Sequence, residues 1–182
     1  DRWETVRNAM AVVDPGCSHV AVHDAARPLV SDELMDRLLL AAEKLDAVIP
    51  VESVSSTLKQ IEPESKIDAG EGEDLVVDSI LGDAGRKEVS ATLISGTADR
   101  RCFGMAQTPQ IFSREILLKA YESADPMGAT DDAQVLERAG IPVHAIQGES
   151  TNIKITTQQD LRLAAALLGV LPGRPSPDPL LG

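Results

Sequence analysis

The sequence predicts an α/β domain, and three observations predict it. Apolar residues make up 43% of the 182 positions, enough for a packed core and too many for a disordered chain. Aromatics supply only 2% (Trp3, Phe103, Phe112 and Tyr121), so the core must be built from Ala, Val, Leu and Ile, as in folds with buried sheets. Short apolar runs also alternate with helical patterns, the βαβ rhythm of a doubly wound, Rossmann-like, mostly parallel sheet.

Arg2 to Val13 sets Val6, Met10 and Val13 on one helical face, and Asp14-Pro15-Gly16 stops it. Ser18 to Asp24 reads as a short buried strand of the parallel-sheet kind. Ser31 then caps a helix with Glu33 in its first turn and Leu34, Leu38, Ala41 and Leu45 along one side. Asp46 to Val51 is the next strand, completing a βαβ crossover. Ser56 to Ile61 alternates as a half-exposed strand, and Val89 to Ile94 reads as its returning partner. Together they predict a projecting β-arm over about residues 53–97. Within it, the stretch from Pro63 to Ser90 is acidic and weakly periodic, reading as a mobile insertion with a short helix or strand at Asp74 to Leu81.

Ala106 to Gln110 leads into a helix capped by Ser113, carrying Leu117, Leu118 and Tyr121. Asp131 to Ala139 forms a short helix stopped by Gly140, followed by strands over Pro142 to Ile146 and Asn152 to Ile155. Thr157 with Asp160 resembles a capping box and opens a last helix with Leu161, Ala164, Ala165 and Leu168 on one face. The domain therefore spans residues 1–170, and the proline-rich 171–182 reads as a disordered tail. The chain opens on Asp1, without Met and almost inside a helical pattern, which reads as an N-terminally truncated piece of a longer chain.

Seventeen basic against 29 acidic side chains give a net charge of −12, a field that repels nucleic acid and anionic lipid. No apolar run is long enough to span a bilayer, and there is no signal peptide. Cys17 and Cys102 lack partners at disulfide-framework or zinc spacing. Scattered histidines support neither a zinc site nor a Ser-His-Asp triad, and no Walker loop or dinucleotide fingerprint is present.

Polar clusters fall where parallel sheets place their ligands, beyond the carboxyl ends of strands. Asp24 follows the first strand, where a carboxylate suits Mg²⁺, and Arg27 offers a planar fork for a phosphate. Taken alone, the same pair suits a turn cap and its partner. Asp99-Arg100-Arg101 with Thr108-Pro109-Gln110 makes an anion cradle or an ordinary solvated ion pair. Thr130 before Asp131-Asp132 suits a helix N-cap. Lys154, just before a helix, is a point charge for a phosphate or a plain surface lysine.

In combination and order, the strings resemble one family. His23-Asp24-Ala25-Ala26-Arg27-Pro28, Ser56-Thr57-Leu58-Lys59, Asp99-Arg100, Gln107-Thr108-Pro109-Gln110, Thr130-Asp131-Asp132 and Asn152-Ile153-Lys154-Ile155-Thr156 resemble 2-C-methyl-D-erythritol 4-phosphate cytidylyltransferases. Arg2-Trp3-Glu4-Thr5-Val6 is similar to the family's Arg-x-x-Ser-Val helix start, with Thr5 for Ser. The resemblance implies a cytoplasmic or plastid homodimer of isoprenoid precursor synthesis, which joins CTP to the polyol phosphate with Mg²⁺ and releases pyrophosphate. It implies Arg100 and Lys154 as catalytic residues placing the substrate phosphate. Arg27, Thr57, Thr108 and Thr130 would line the substrate pocket, with Thr5 and Asp24 at the nucleotide and Asp24 on the metal. In the family the segment between Thr57 and Arg100 is an arm reaching into a dimer partner, and it is longer here than in most relatives. The family's N-terminal glycine-rich triphosphate loop has no counterpart in this sequence, so the chain alone is expected to be inactive. Glu149 is the nearest match to an acid that helps the metal in the family. The motifs would equally serve ribitol 5-phosphate or another polyol phosphate, or persist in a non-catalytic dimerising remnant.

Overall fold

The computed structural model describes residues 2–63, 67–68 and 90–170. The element expected at Asp74 to Leu81, most of the insertion around it and the tail over 171–182 lie outside the described residues. The chain divides into two compact units, Asp1–Ser53 with Gly104–Gly182, and Val54–Phe103.

The first unit contains α1 (Arg2–Met10), β1 (His19–Val22), α2 (Asp32–Ala42) and β2 (Ala47–Ser53) before the division. After it come β7 (Gly104–Ala106), β8 (Gln110–Ser113), α3 (Arg114–Ser123), α4 (Asp132–Arg138), β9 (His144–Gln147) and α5 (Gln158–Leu168). The expected α/β class holds. Strands β1, β2 and β9 point the same way, and β9 pairs with β2 in parallel, Val48 opposite His144. Antiparallel β8 runs between β1 and β2, pairing Val20 with Phe112 on one side and Ala47 with Phe112 on the other. The crossover expected from β1 to β2 therefore joins strands of one direction that are not neighbours. Antiparallel β7 shares the β8 edge of β2, pairing Val51 with Ala106. Between β7 and β8, residues 107–109 sit at a break in that ladder, held by the Gln107 N–H on the Pro50 carbonyl at 2.8 Å.

Period-two alternation divides the core between the two faces of the sheet. Ala47, Ile49 and Phe112 face α1, α3 and α4 and pack with Val6, Met10, Leu117, Ala120, Val135 and Leu136. Val48 and Ile111 face α2 and pack with Leu34, Leu38 and Ala42. Helices thus cover both faces, as double winding requires, and each fully buried Leu or Phe contributes roughly 1.5–3 kcal/mol. Strand β1 departs from expectation: its residues are half-buried to exposed, because β8 is its one strand partner among the described residues.

Caps were legible. The Ser31 hydroxyl accepts from Leu34 N–H, Ser113 from Ile116 N–H, and Thr157 with Asp160 completes a capping box. Gly140 takes φ +70° after α4, a conformation that favours glycine. Three expectations fail. Asp131, not Thr130, is the N-cap of α4, its carboxylate accepting from Gln134 N–H at 2.9 Å. Residues 152–155 form no strand; Asn152 is buried in a loop and Ile155 N–H bonds to the Ala26 carbonyl at 2.8 Å. On α5 only Ala164 is buried, and Leu161 is 51% exposed.

In the second unit, β3 (Leu58–Ile61) pairs antiparallel with β6 (Ile94–Ala98), Lys59 opposite Thr97, with a register shift after Gln60. The returning strand therefore starts at Ile94, later than its apolar pattern suggests. Short β4 (Ile67–Asp68) pairs with β5 (Ser90–Ala91). Asp99 caps a single 3₁₀ turn, Arg100–Cys102. Among the described residues, no helix is long and apolar enough to cross a membrane.

Candidate active site

The segment after β1 and the loop between β7 and β8 reach the same end of the sheet. There the Asp24 N–H donates to the Thr108 hydroxyl at 2.9 Å. The Asp24 carboxylate, 20% exposed, is ringed by cations: Lys154 Nζ at 2.9 Å, Arg27 Nε at 3.8 Å and Arg2 Nε at 3.9 Å. Burial works to raise the Asp24 carboxyl, but the Lys154 hydrogen bond and charge, with Arg2 and Arg27, outweigh it and hold it below the usual carboxylate range. For Arg27 burial wins over the attraction of Asp24 and Glu52, and its pKa is lowered.

Backbone carbonyls fix Arg27, which donates to Asn152 O at 2.7 Å and Ala106 O at 3.4 Å, while its buried Nε has no hydrogen-bond partner. Asn152 in turn donates to the Thr108 carbonyl at 2.8 Å. Gln107 donates to Glu149 O at 2.8 Å, and Gln110 donates to Asp131 Oδ2 at 2.8 Å while accepting from Ala133 N–H. These buried amides weld the 107–110 loop to the segments that follow β9 and precede α4.

The result is a cavity of about 200 Å³ whose lining includes Arg2, Asp24, Arg27, Thr108, Thr130 and Lys154. Of the residues singled out in the sequence, Asp24, Arg27, Thr108, Thr130 and Lys154 thus converge. Thr130, freed of the capping role, donates its N–H and hydroxyl to Gln134 Oε1 at 2.8 and 3.4 Å. Thr5 lines a neighbouring, more apolar cavity of about 440 Å³ that Arg2 and Asp24 also border. Thr57 and Arg100 are exposed residues of the second unit, where Arg100 donates to the Ser55 carbonyl. Glu149 spends its carboxylate on the Ser31 hydroxyl at 2.9 Å and Arg37 at 3.1 Å.

In the sequence Arg2 is only part of a helix start, yet it borders both cavities. Its guanidinium donates to the fully buried Asp132 at 2.6 Å, and Tyr121 donates to the same carboxylate at 2.6 Å. Burial opposes the charge of Arg2, but Asp132 and Asp24 overcome it and its pKa is raised. Burial and the bond to Asp132 push the Tyr121 phenol well above its ordinary range. The second Asp of Thr130-Asp131-Asp132 was the available signal, since Asp131 alone serves the cap.

One hard carboxylate among donors suits a phosphorylated ligand. Among the described residues, no group of three or more His, Cys, Asp or Glu side chains is arranged to hold a metal. Asp24 therefore fits a Mg²⁺ ion only as a single protein ligand, with phosphate and water oxygens completing the shell.

A sequence model of the 2-C-methyl-D-erythritol 4-phosphate cytidylyltransferase family matches residues 1–77 and 75–170. The chain is 35% identical over 176 residues to the enzyme of that name from Syntrophus aciditrophicus, covering 96% of this chain and 64% of the relative. It is 36% identical to that from Bacteroides fragilis, covering 92% and 63%. The chain thus spans a little under two thirds of the length of these curated relatives. The crystal structure of the Thermus thermophilus enzyme superposes with a TM-score of 0.71 at 32% identity, covering 92% of this chain and 68% of that one.

Proposed function

The chain belongs to the 2-C-methyl-D-erythritol 4-phosphate cytidylyltransferase family, and from that premise we propose that it serves the transfer the family name describes. CTP and 2-C-methyl-D-erythritol 4-phosphate give CDP-methylerythritol and pyrophosphate, a step of isoprenoid precursor synthesis. A phosphate oxygen of the polyol attacks the α-phosphorus of CTP, and the bond to the bridging oxygen of the leaving pyrophosphate breaks. Such chemistry is mostly positioning and charge neutralisation. The observation that carries the reading is the convergence of Asp24, Arg27, Thr108, Thr130 and Lys154 on one cavity.

Lys154 and Arg27 are the cations that meet incoming phosphate, Lys154 turning from Asp24 as negative charge arrives and Arg27 staying where the backbone carbonyls hold it. Arg2 stays anchored by Asp132. Thr108 and Thr130 line the polyol side. Asp24 is the residue that would hold Mg²⁺, which supplies charge neutralisation at the phosphates when bound.

The same reading has the protein work as a cytoplasmic homodimer, or a plastid one in a plant. Each arm would bring Thr57 and Arg100 to the partner's substrate phosphate. Ile61, Leu93 and Ile94 are each more than half exposed on the second unit, and a two-stranded sheet is marginal without a surface to cover it. With a charge of −12, nucleic acid and anionic membranes are poor partners.

Pyrophosphate release from CTP and Mg²⁺ by the full-length protein tests the activity. Release with 2-C-methyl-D-erythritol 4-phosphate and not with ribitol 5-phosphate is expected. Absence of release with either polyol overturns the reading, and a preference for ribitol 5-phosphate overturns the substrate.

A further inference from the structure

We propose that His23 is a positioning residue that fixes the hydroxyl proton of Thr108, so that Thr108 meets a ligand as an acceptor and reads a substrate hydroxyl, not a phosphate oxygen. The identity of that ligand rests on the functional reading above; the role of His23 does not.

His23 Nε2 lies 3.0 Å from the Arg27 carbonyl, which can only accept, so in the neutral ring Nε2 carries the proton. Nδ1 is then the acceptor, and the atom that faces it at 3.0 Å is the Thr108 hydroxyl. That hydroxyl must donate to His23. One of its two lone pairs already takes the Asp24 N–H at 2.9 Å.

A single lone pair remains, on a residue 4% exposed that lines the cavity. The oxygens of a phosphate monoester, a dianion above about pH 7, only accept and gain nothing from another acceptor; a polyol O–H does. The cavity thus divides its work. Lys154, Arg27 and Arg2 supply donors for phosphate, and Thr108 supplies an acceptor for a hydroxyl. Without His23 the Thr108 proton would be free to turn toward phosphate, and the division would blur.

The ring itself gives a test that needs no ligand. In a long-range ¹H–¹⁵N spectrum of the chain, recorded above the range in which an ordinary imidazole gains a second proton, His23 should show a protonated Nε2 and a bare Nδ1. Thr108→Val should shift Nδ1 and leave Nε2 in place. The opposite tautomer, or an Nδ1 indifferent to Thr108→Val, overturns the proposal.

Calorimetry at about pH 8 then compares 2-C-methyl-D-erythritol 4-phosphate with methyl phosphate as probes, the latter a dianion with no hydroxyl. Thr108→Val should weaken the polyol phosphate about tenfold and leave methyl phosphate unchanged. His23→Leu should weaken the polyol phosphate in the same direction, and His23→Asn, whose amide oxygen can replace Nδ1, should restore most of it. Equal losses for both probes would make Thr108 a phosphate ligand and sink the proposal. If the wild-type chain holds methyl phosphate but favours the polyol phosphate in no way, the substrate reading falls and the tautomer alone judges His23.

Discussion

Arg2 and Asp132 stand 130 positions apart, yet their side chains meet at 2.6 Å. Asp132 is fully buried, and its carboxylate is served by a guanidinium and by the Tyr121 hydroxyl. Removing one partner leaves a buried charge half-compensated, which typically costs about 3 kcal/mol or more. Arg2→Ala should therefore lower the melting temperature distinctly, and Tyr121→Phe less, since it removes a neutral donor. Indistinguishable melting curves for wild type and Arg2→Ala would mean the pair contributes nothing.

Asp24 stands inside a ring of three cations, which makes its replacement informative in two directions. Asp24→Asn keeps the shape and removes the anion. If Asp24 holds the ion as proposed, binding of CTP to the full-length protein that depends on Mg²⁺ should fall sharply, because the carboxylate is gone. Inorganic phosphate without metal should bind more tightly, because Asp24 no longer offsets the charge of Lys154, Arg27 and Arg2. Titration of both probes with and without Mg²⁺ checks this; no change in either reduces Asp24 to a turn residue.

At the start of α5, Asp160 accepts from the Thr156 N–H and hydroxyl at 3.0 Å each and from the Thr157 N–H at 2.8 Å. Led by the Thr156 N–H, these donors bring its pKa down to about 2. A folded pKa below the unfolded value means the contribution is present above about pH 4 and lost as pH falls through about 2. The stability gap between wild type and Asp160→Ala should accordingly be open at pH 6 and close in that window. A gap that stays constant to the acid end would show that the carboxylate's charge plays no part.

If the arms serve partner subunits, two crippled proteins should help each other. Arg100→Ala and Asp24→Ala, each inactive in the full-length protein, should regain part of the activity when mixed and allowed to exchange subunits. Heterodimers that form without any recovery would place Arg100 outside the working site.

Local signals were the most legible. Ser31, Ser113, Thr157 and Gly140 announce helix ends through chemistry confined to a few neighbouring residues, and the structure uses each as read. The convergence of Asp24, Arg27, Thr108, Thr130 and Lys154 was legible only as an ordered set of strings, since any one of them suits a surface role. What escaped reading is non-local. Strand β8 was missed because Gln110–Ser113 is too short to show a period and continues directly into α3. Leu161 and Leu168 obey helical spacing, but spacing does not say whether anything packs against the face. Arg2 cannot be paired with Asp132 from sequence: the doubled acid Asp131-Asp132 marks a carboxylate the cap does not need, but not the residue that meets it.

The antiparallel strand between β1 and β2 also bears on how the chain is made. Among the described residues, β1 and β2 pair only with strands that begin at Gly104 or later. When residues 1–103 have reached solvent, the local β3–β6 ladder can therefore close, but none of the main-sheet ladders among the described residues can. The inserted unit would be structured first and the surrounding one last, a delay set by loop closure over long sequence separations. Amide exchange on ribosome-bound chains halted at residue 103 should find at most weak protection in Leu58–Ile61 and Ile94–Ala98, a pair marginal until it is covered, and none in His19–Val22 or Ala47–Ser53. Protection of those two strands before β8 has emerged would rule this order out.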